Sequence, residues 1–90
     1  MSDSNKDSLL EFPCEFPIKM MGRASDEFRE IAVALVERHA GKVPEGAISI
    51  SPSRNGNFVS VTVTIVAESQ QQLDGIYLDL TSHEEVLVAL

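Results

Sequence analysis

Ile48-Ser49-Ile50-Ser51-Pro52-Ser53-Arg54-Asn55-Gly56-Asn57-Phe58-Val59-Ser60-Val61-Thr62-Val63-Thr64-Ile65-Val66-Ala67 is two runs of alternating apolar and hydroxyl residues joined by a polar link. In the second run Val59, Val61, Val63 and Ile65 fall on one face and Ser60, Thr62 and Thr64 on the other, the period of a strand with one buried side. Ile48 and Ile50 alternate with Ser49 and Ser51 in the same way. Asn55-Gly56 tolerates positive φ and marks a reversal, so the two runs form an antiparallel hairpin. Pro52 cannot donate to a ladder and ends the first strand, which makes the turn longer than two residues.

Working back toward the N-terminus, Lys42 to Gly46 with Pro44 reads as a loop, and Gly41 as the stop of a helix. That helix starts after Ser25, an N-cap followed by Asp26 and Glu27, whose carboxylates favour the first turn. Phe28, Ile31, Ala32, Leu35 and Val36 recur at helical spacing and form one apolar stripe. Before it, Ile18 to Met21 reads as a short strand, with Phe16, Ile18 and Met20 facing the core and Lys19 and Met21 opposite. The stretch from Leu9 to Pro17, with two prolines, reads as an extended arm, and Pro17 belongs at the start of the strand or outside its paired region. Residues 1–8 are small and polar and read as a disordered tail, leaving 9–90 as a single domain.

Toward the C-terminus, Ser69 caps a second helix with Leu73, Ile76, Tyr77 and Leu80 on one face and Gly75 on the opposite side. Thr81 to Glu85 reads as a link, and Val86 to Leu90 as a closing strand with Val86, Val88 and Leu90 inward. The order strand, helix, strand, strand, helix, strand gives an α+β, ferredoxin-like βαββαβ sandwich. Its four-stranded antiparallel sheet has the order 4-1-3-2, with both helices on one face. The other face is left open, and its expected residues are Lys19, Met21, Ser49, Ser51, Ser60, Thr62, Thr64, Leu87 and Ala89.

Ninety residues make one domain, near the lower limit at which a core suffices without staples. The single cysteine, Cys14, excludes an internal disulfide and points to a reducing cytoplasm. Neither a secretory signal nor a bilayer-spanning run is present, so no membrane association is expected. The net charge is −7, and every Lys and Arg lies between Lys6 and Arg54. A nucleic-acid ligand needs cations to replace its counterions, and Asn55 to Leu90 supplies none. No nucleic acid is expected as a partner.

Three segments together resemble the YbeD-like family of small bacterial proteins. They are Leu10-Glu11-Phe12-Pro13-Cys14-Glu15-Phe16-Pro17-Ile18-Lys19-Met20-Met21-Gly22, Pro52-Ser53-Arg54-Asn55-Gly56-Asn57-Phe58-Val59-Ser60-Val61-Thr62-Val63-Thr64, and Leu73-Asp74-Gly75-Ile76-Tyr77-Leu78-Asp79-Leu80. The resemblance implies a ferredoxin-like fold close to the ACT regulatory domain, in a family without an established biochemical activity. Two positions depart from the pattern: Phe58 stands where a tyrosine is expected, and Val86 to Leu90 lacks a basic residue.

Candidate sites are few. Gly22, Arg23 and Ser25 precede a helix N-terminus, whose free N–H groups and a nearby guanidinium suit an anion, although Asp26 and Glu27 already occupy that end of the dipole. The bland alternative is that Gly and Ser are there for turn geometry. The Arg54-Asn55-Gly56-Asn57 link is a recognition loop or simply hairpin chemistry. Cys14, beside Glu15, reads as a packing residue rather than a nucleophile. His39 sits at a helix C-terminus as a boundary residue, and Tyr77 packs its ring with the hydroxyl at the rim. His83 with Glu84 and Glu85 lacks a third metal ligand. No metal and no cofactor are expected. An acylphosphatase-like hydrolase would use Arg23 with Asn55 or Asn57, but the glycine-rich cradle such chemistry needs is missing. The preferred reading is a non-catalytic binding or regulatory module acting through protein contacts or a small metabolite. Its open sheet face, with Met21, Ser60, Thr62, Thr64 and Leu87, is the surface expected to pair in a homodimer.

Overall fold

The computed structural model describes residues 10–90, so the tail expected over 1–8, and Leu9, lie outside the described residues. The elements are β1 (Cys14–Arg23), α1 (Asp26–Ala40), a 3-10 turn (Glu45–Ala47), β2 (Ile48–Pro52), β3 (Phe58–Ala67), α2 (Gln70–Ser82) and β4 (Val88–Ala89). They form one antiparallel sheet of order β2-β3-β1-β4, the ferredoxin-like sandwich expected from the hairpin outward.

Period-2 patterning becomes burial. Ile18 and Met20 on β1 and Val61, Val63 and Ile65 on β3 are buried, while their odd-even neighbours Lys19 and Thr62 stand on the other face. Both helices cover the buried face with Phe28, Ala32, Leu35 and Val36 from α1 and Leu73, Ile76 and Leu80 from α2. The caps form as read: Ser25 Oγ accepts from Phe28 N–H at 3.1 Å and Ser69 Oγ from Gln72 N–H at 3.1 Å. Gly41 ends α1 at φ 81°, and Gly56 takes φ 78° in the hairpin link. That link spans Ser53 to Asn57, with Ser53 N–H donating to the Phe58 carbonyl at 2.9 Å.

Four expectations change. The stretch read as an arm joins the sheet from Cys14 onward, and Pro17 lies inside the paired region, opposite Thr64. It is tolerated there because of the direction of its backbone. Lys19 exchanges hydrogen bonds with Leu90, so Pro17, two residues away, turns its missing N–H to the same side, past the last β4 pair at Met20 and Met21. Helix α2 runs on to Ser82 rather than ending before Thr81. Gly75 does not face away from the packing: a Cβ there would stand 3.1 Å from His39 Cε1, so it lies in the contact between the helices. The closing segment shifts phase. Leu87 N–H reaches the Met21 carbonyl at 2.8 Å although Val88 is in register with Met21, two residues against one as in a bulge. Val86 and Ala89 therefore turn inward, and Val88 and Leu90 outward.

Candidate functional site

The uncovered face is built in rows set by the register. Val88, Met21, Ser60 and Ser51 stand side by side across all four strands. Lys19, Thr62 and Ser49 form the next row, Pro17 and Thr64 another, and the ends are closed by Arg23 with Phe58 and Glu15 with Val66. Met21, Phe58, Ser60, Thr62 and Thr64 are half-buried by their neighbours, whereas Val66, Val88 and Leu90 are 54%, 43% and 68% exposed. Leu87, 48% exposed, sits at the bulge rather than in the Met21 row, so Val88 takes the place expected for it. Lys19 and Arg23 make no ion pair among the described residues. In a chain with a net charge of −7 they bring two cations to this face against the single carboxylate of Glu15.

Gly22, Arg23 and Ser25 do not converge. Gly22 is buried on the helix side, where a Cβ would collide with the Phe28 ring and stand 2.6 Å from the Glu85 carbonyl oxygen. Arg23 is one step along the strand and so on the opposite face. Ser25 Oγ is engaged by Phe28 N–H as the cap. Of the two asparagines considered with Arg23, Asn55 Oδ1 accepts from Ser53 Oγ and Asn57 N–H inside the turn, and the Asn57 carbonyl accepts from Ala24 N–H at 3.0 Å. These groups stabilise the hairpin end of the sheet and its junction with α1.

The titratable groups are organised by packing. His39 Nε2 lies 2.6 Å from Asp79 Oδ2, and Arg38 Nη1 lies 3.5 Å from the same oxygen. The hydrogen bond from His39 holds the Asp79 carboxyl below the usual carboxylate range, with the charges of His39 and Arg38 adding to it against partial desolvation. Gln72 Nε2 donates to the His39 carbonyl, so this cluster clamps the end of α1 to α2. Burial raises the Tyr77 phenol, whose hydroxyl donates to Leu90 O at 2.7 Å while the ring packs on the core. Cys14 is half-buried against the core, and His83 Nδ1 accepts from Glu85 N–H within its own turn. Among the described residues no three His, Cys, Asp or Glu side chains converge, and no helix is long and apolar enough to cross a membrane.

One feature was not read from the sequence. A groove of about 670 Å³ lies where β3 outruns β2, between Thr64 to Val66 and the segment from Lys42 to Ala47, and Val43 in that segment is buried rather than a loose loop residue. The unequal length of the two alternating runs is the sequence signal that could have located it.

A family model described as "Protein of unknown function (DUF493)" matches residues 7–90. A UPF0250 protein of Neisseria gonorrhoeae is 46% identical over 86 residues, covering 96% of this chain and 94% of its own. A UPF0250 protein of Paraburkholderia phytofirmans is 46% identical over 90 residues, covering 100% of both chains. The solution structure of protein HP0495 from H. pylori superposes with a TM-score of 0.72 at 17% identity, covering 100% of this chain and 94% of that one. That likeness concerns the fold.

Proposed function

The chain belongs to the family described as DUF493, proteins of unknown function, and from that premise we propose a non-catalytic, ACT-like regulatory module that pairs with a second copy of itself through the uncovered sheet face. The observation that carries this reading is the order of charges along β1. Glu15, Lys19 and Arg23 share that face, with the acid at one end and the bases toward the other. Consider two copies stacked face to face about a two-fold axis across the strands at Lys19 and Thr62. Glu15 then meets the partner's Arg23, and Val66 meets the partner's Phe58, because 66 and 58 are equally far from 62. The same patch serves both copies, as closed two-fold symmetry requires. Exposed ion pairs contribute only about 0–1 kcal/mol each, and Lys19, on the axis, faces its like-charged copy, so the apolar contacts supply affinity and the two Glu15–Arg23 pairs set the register.

Light scattering across a concentration series tests the pairing. A dimer is expected, with Arg23→Glu dissociating it and the combined swap Glu15→Arg with Arg23→Glu restoring it. A monomer at every concentration removes the proposal. The regulatory half of the reading, with a small metabolite as signal in a reducing cytoplasm, draws support from the single half-buried thiol and the absence of converging catalytic groups among the described residues. A thermal-shift screen with amino acids, nucleotides and phosphate esters reads it, because a ligand of the native state raises the melting temperature.

A further inference from the structure

Lys19 stands in the middle of the uncovered face, on one of the two inner strands of the order β2-β3-β1-β4. Its backbone exchanges two hydrogen bonds with Leu90, at 3.1 and 2.8 Å. Its peptide groups therefore point to the β4 side, and Lys19 forms a non-hydrogen-bonded pair with Thr62 on the other. Pairs of that kind bring the Cα atoms to about 4.5 Å and set the side chains closest. The Thr62 side chain is thus the immediate neighbour of the lysine stem, with Ser49 next along the row and the exposed Leu90 on the opposite side.

No carboxylate of the face reaches this lysine. Glu15, the one acid there, is four residues away along β1, about 13 Å at roughly 3.3 Å per residue. Lys19 makes no ion pair among the described residues. In the two-fold pairing proposed above, each Glu15 is taken by the partner's Arg23, while Lys19 and its copy meet on the axis. Sheets stack about 10 Å apart, so the two ammonium groups share one space between them, beside the Thr62 hydroxyl of each copy. The other charges of the interface cancel in pairs, and these two do not. Charge withdrawn from water is costly unless it is paired and hydrogen-bonded.

We propose that the paired face binds a dianionic tetrahedral oxyanion, sulfate or free phosphate, on the two-fold axis between Lys19 and its copy, a site that rests on the pairing proposed above. The two ammonium groups balance its charge, and they and the two Thr62 hydroxyls donate hydrogen bonds to its oxygens. A tetrahedral ion has a two-fold axis of its own and offers two oxygens to each copy, so one ion serves both halves of the site. A phosphate monoester lacks that symmetry and has to place its organic group between the sheets. One chain supplies only half of the donors, so binding of the ion and association of the chains are linked.

Sedimentation of the full chain over a concentration series, at about pH 8 where phosphate is almost wholly dianionic, compares chloride with sulfate and with inorganic phosphate at equal ionic strength. One ion per dimer lowers the dimer dissociation constant about elevenfold when the ion stands at about ten times its own dissociation constant, and calorimetry counts one ion for two chains. Glycerol phosphate leaves the constant at its chloride value; a response equal to that of phosphate overturns the placement on the axis. Lys19→Met keeps the stem and removes the charge. Its dimer in chloride is expected to be at least as tight as the parent's and to lose the response to sulfate and phosphate, whereas Lys19→Arg keeps the response. Both ions also strengthen apolar contacts in general, and that effect persists in Lys19→Met, so the variant separates it from a bound ion. Circular dichroism checks that each variant is folded. A dimer that Arg23→Glu dissociates but that behaves alike in all three salts, or whose response survives Lys19→Met, overturns the axial site and leaves the pairing standing. A monomer in every salt overturns both.

Discussion

Gly22→Ala separates two roles for one residue. As the start of an anion cradle, Gly22 could lose ligand affinity on substitution while the fold stayed intact. The structure gives a different reason for glycine. A methyl at this position enters the Phe28 ring and comes within 2.6 Å of the Glu85 carbonyl oxygen. The ring is fully buried at the centre of the core, and the carbonyl belongs to the turn that delivers Val86 inward. Overpacking of a filled core costs about 1–3 kcal/mol, and a backbone oxygen yields less readily than the end of a flexible side chain. Reduced entropy of the unfolded chain returns about 0.4–1 kcal/mol, so a net loss of about 2 kcal/mol is expected. At about 4–8 °C per kcal/mol for a domain of this size, the melting temperature falls by about 8–16 °C. Thermal and urea unfolding followed by circular dichroism measure this. Phe28→Leu in the same chain relieves part of the collision, so the double variant loses less than the sum of the two single ones. A melting temperature for Gly22→Ala equal to that of the parent refutes the packing account, and strictly additive losses refute the assignment of the collision to Phe28.

Two further outcomes concern the clamp between the helices. Gly75→Ala gains about 1 kcal/mol of helix propensity but places a methyl 3.1 Å from the His39 ring, which Asp79 holds at 2.6 Å; chemical denaturation should show little or no gain in the parent and a gain approaching the full propensity in a His39→Ala background. The Asp79 carboxyl is held below its ordinary range in the folded state, so its contribution is complete above about pH 4, the unfolded carboxylate value, and disappears as pH falls through the depressed folded value. The stability difference between the parent and Asp79→Asn should therefore shrink as the pH falls below about 4, and a difference that grows on that acidification contradicts the sign.

Most of the fold was legible because its signals are local. Alternation over Val59 to Ile65, the caps at Ser25 and Ser69 and the Asn55-Gly56 reversal each depend on a few neighbouring residues, and each acts in the structure as its chemistry requires. The closing segment carried no such signal. Val86-Leu87-Val88-Ala89-Leu90 is apolar throughout, so every phase looks equally good, and the bulge at Met21 decides which side chains turn inward. The place of Gly75, against the His39 ring, is hidden from the sequence for a similar reason. Its own helix has Leu73, Ile76 and Leu80 buried on the sheet, each contributing roughly 1.5–3 kcal/mol, and that face was readable. The second contact, with the end of α1, depends on how the two helices meet.

The candidate sites divide along the same line, between what one strand determines and what two strands determine together. Gly22 and Arg23 are adjacent in sequence, and adjacency suggested a shared site, yet strand geometry puts neighbours on opposite faces. The pairings that matter are Arg23 with Phe58 and Glu15 with Val66, each fixed by register across β1 and β3. The same holds for the groove: neither β2 nor β3 is unusual alone, and the unpaired Val66 edge arises because β3 runs four residues beyond its last pair with β2, Val63 with Ile48. An edge left open in this way is a hazard for aggregation unless it is short, recessed or occupied. Here it is short and recessed, with Lys42 on its wall. Those properties keep the edge from making a broad sheet-to-sheet contact.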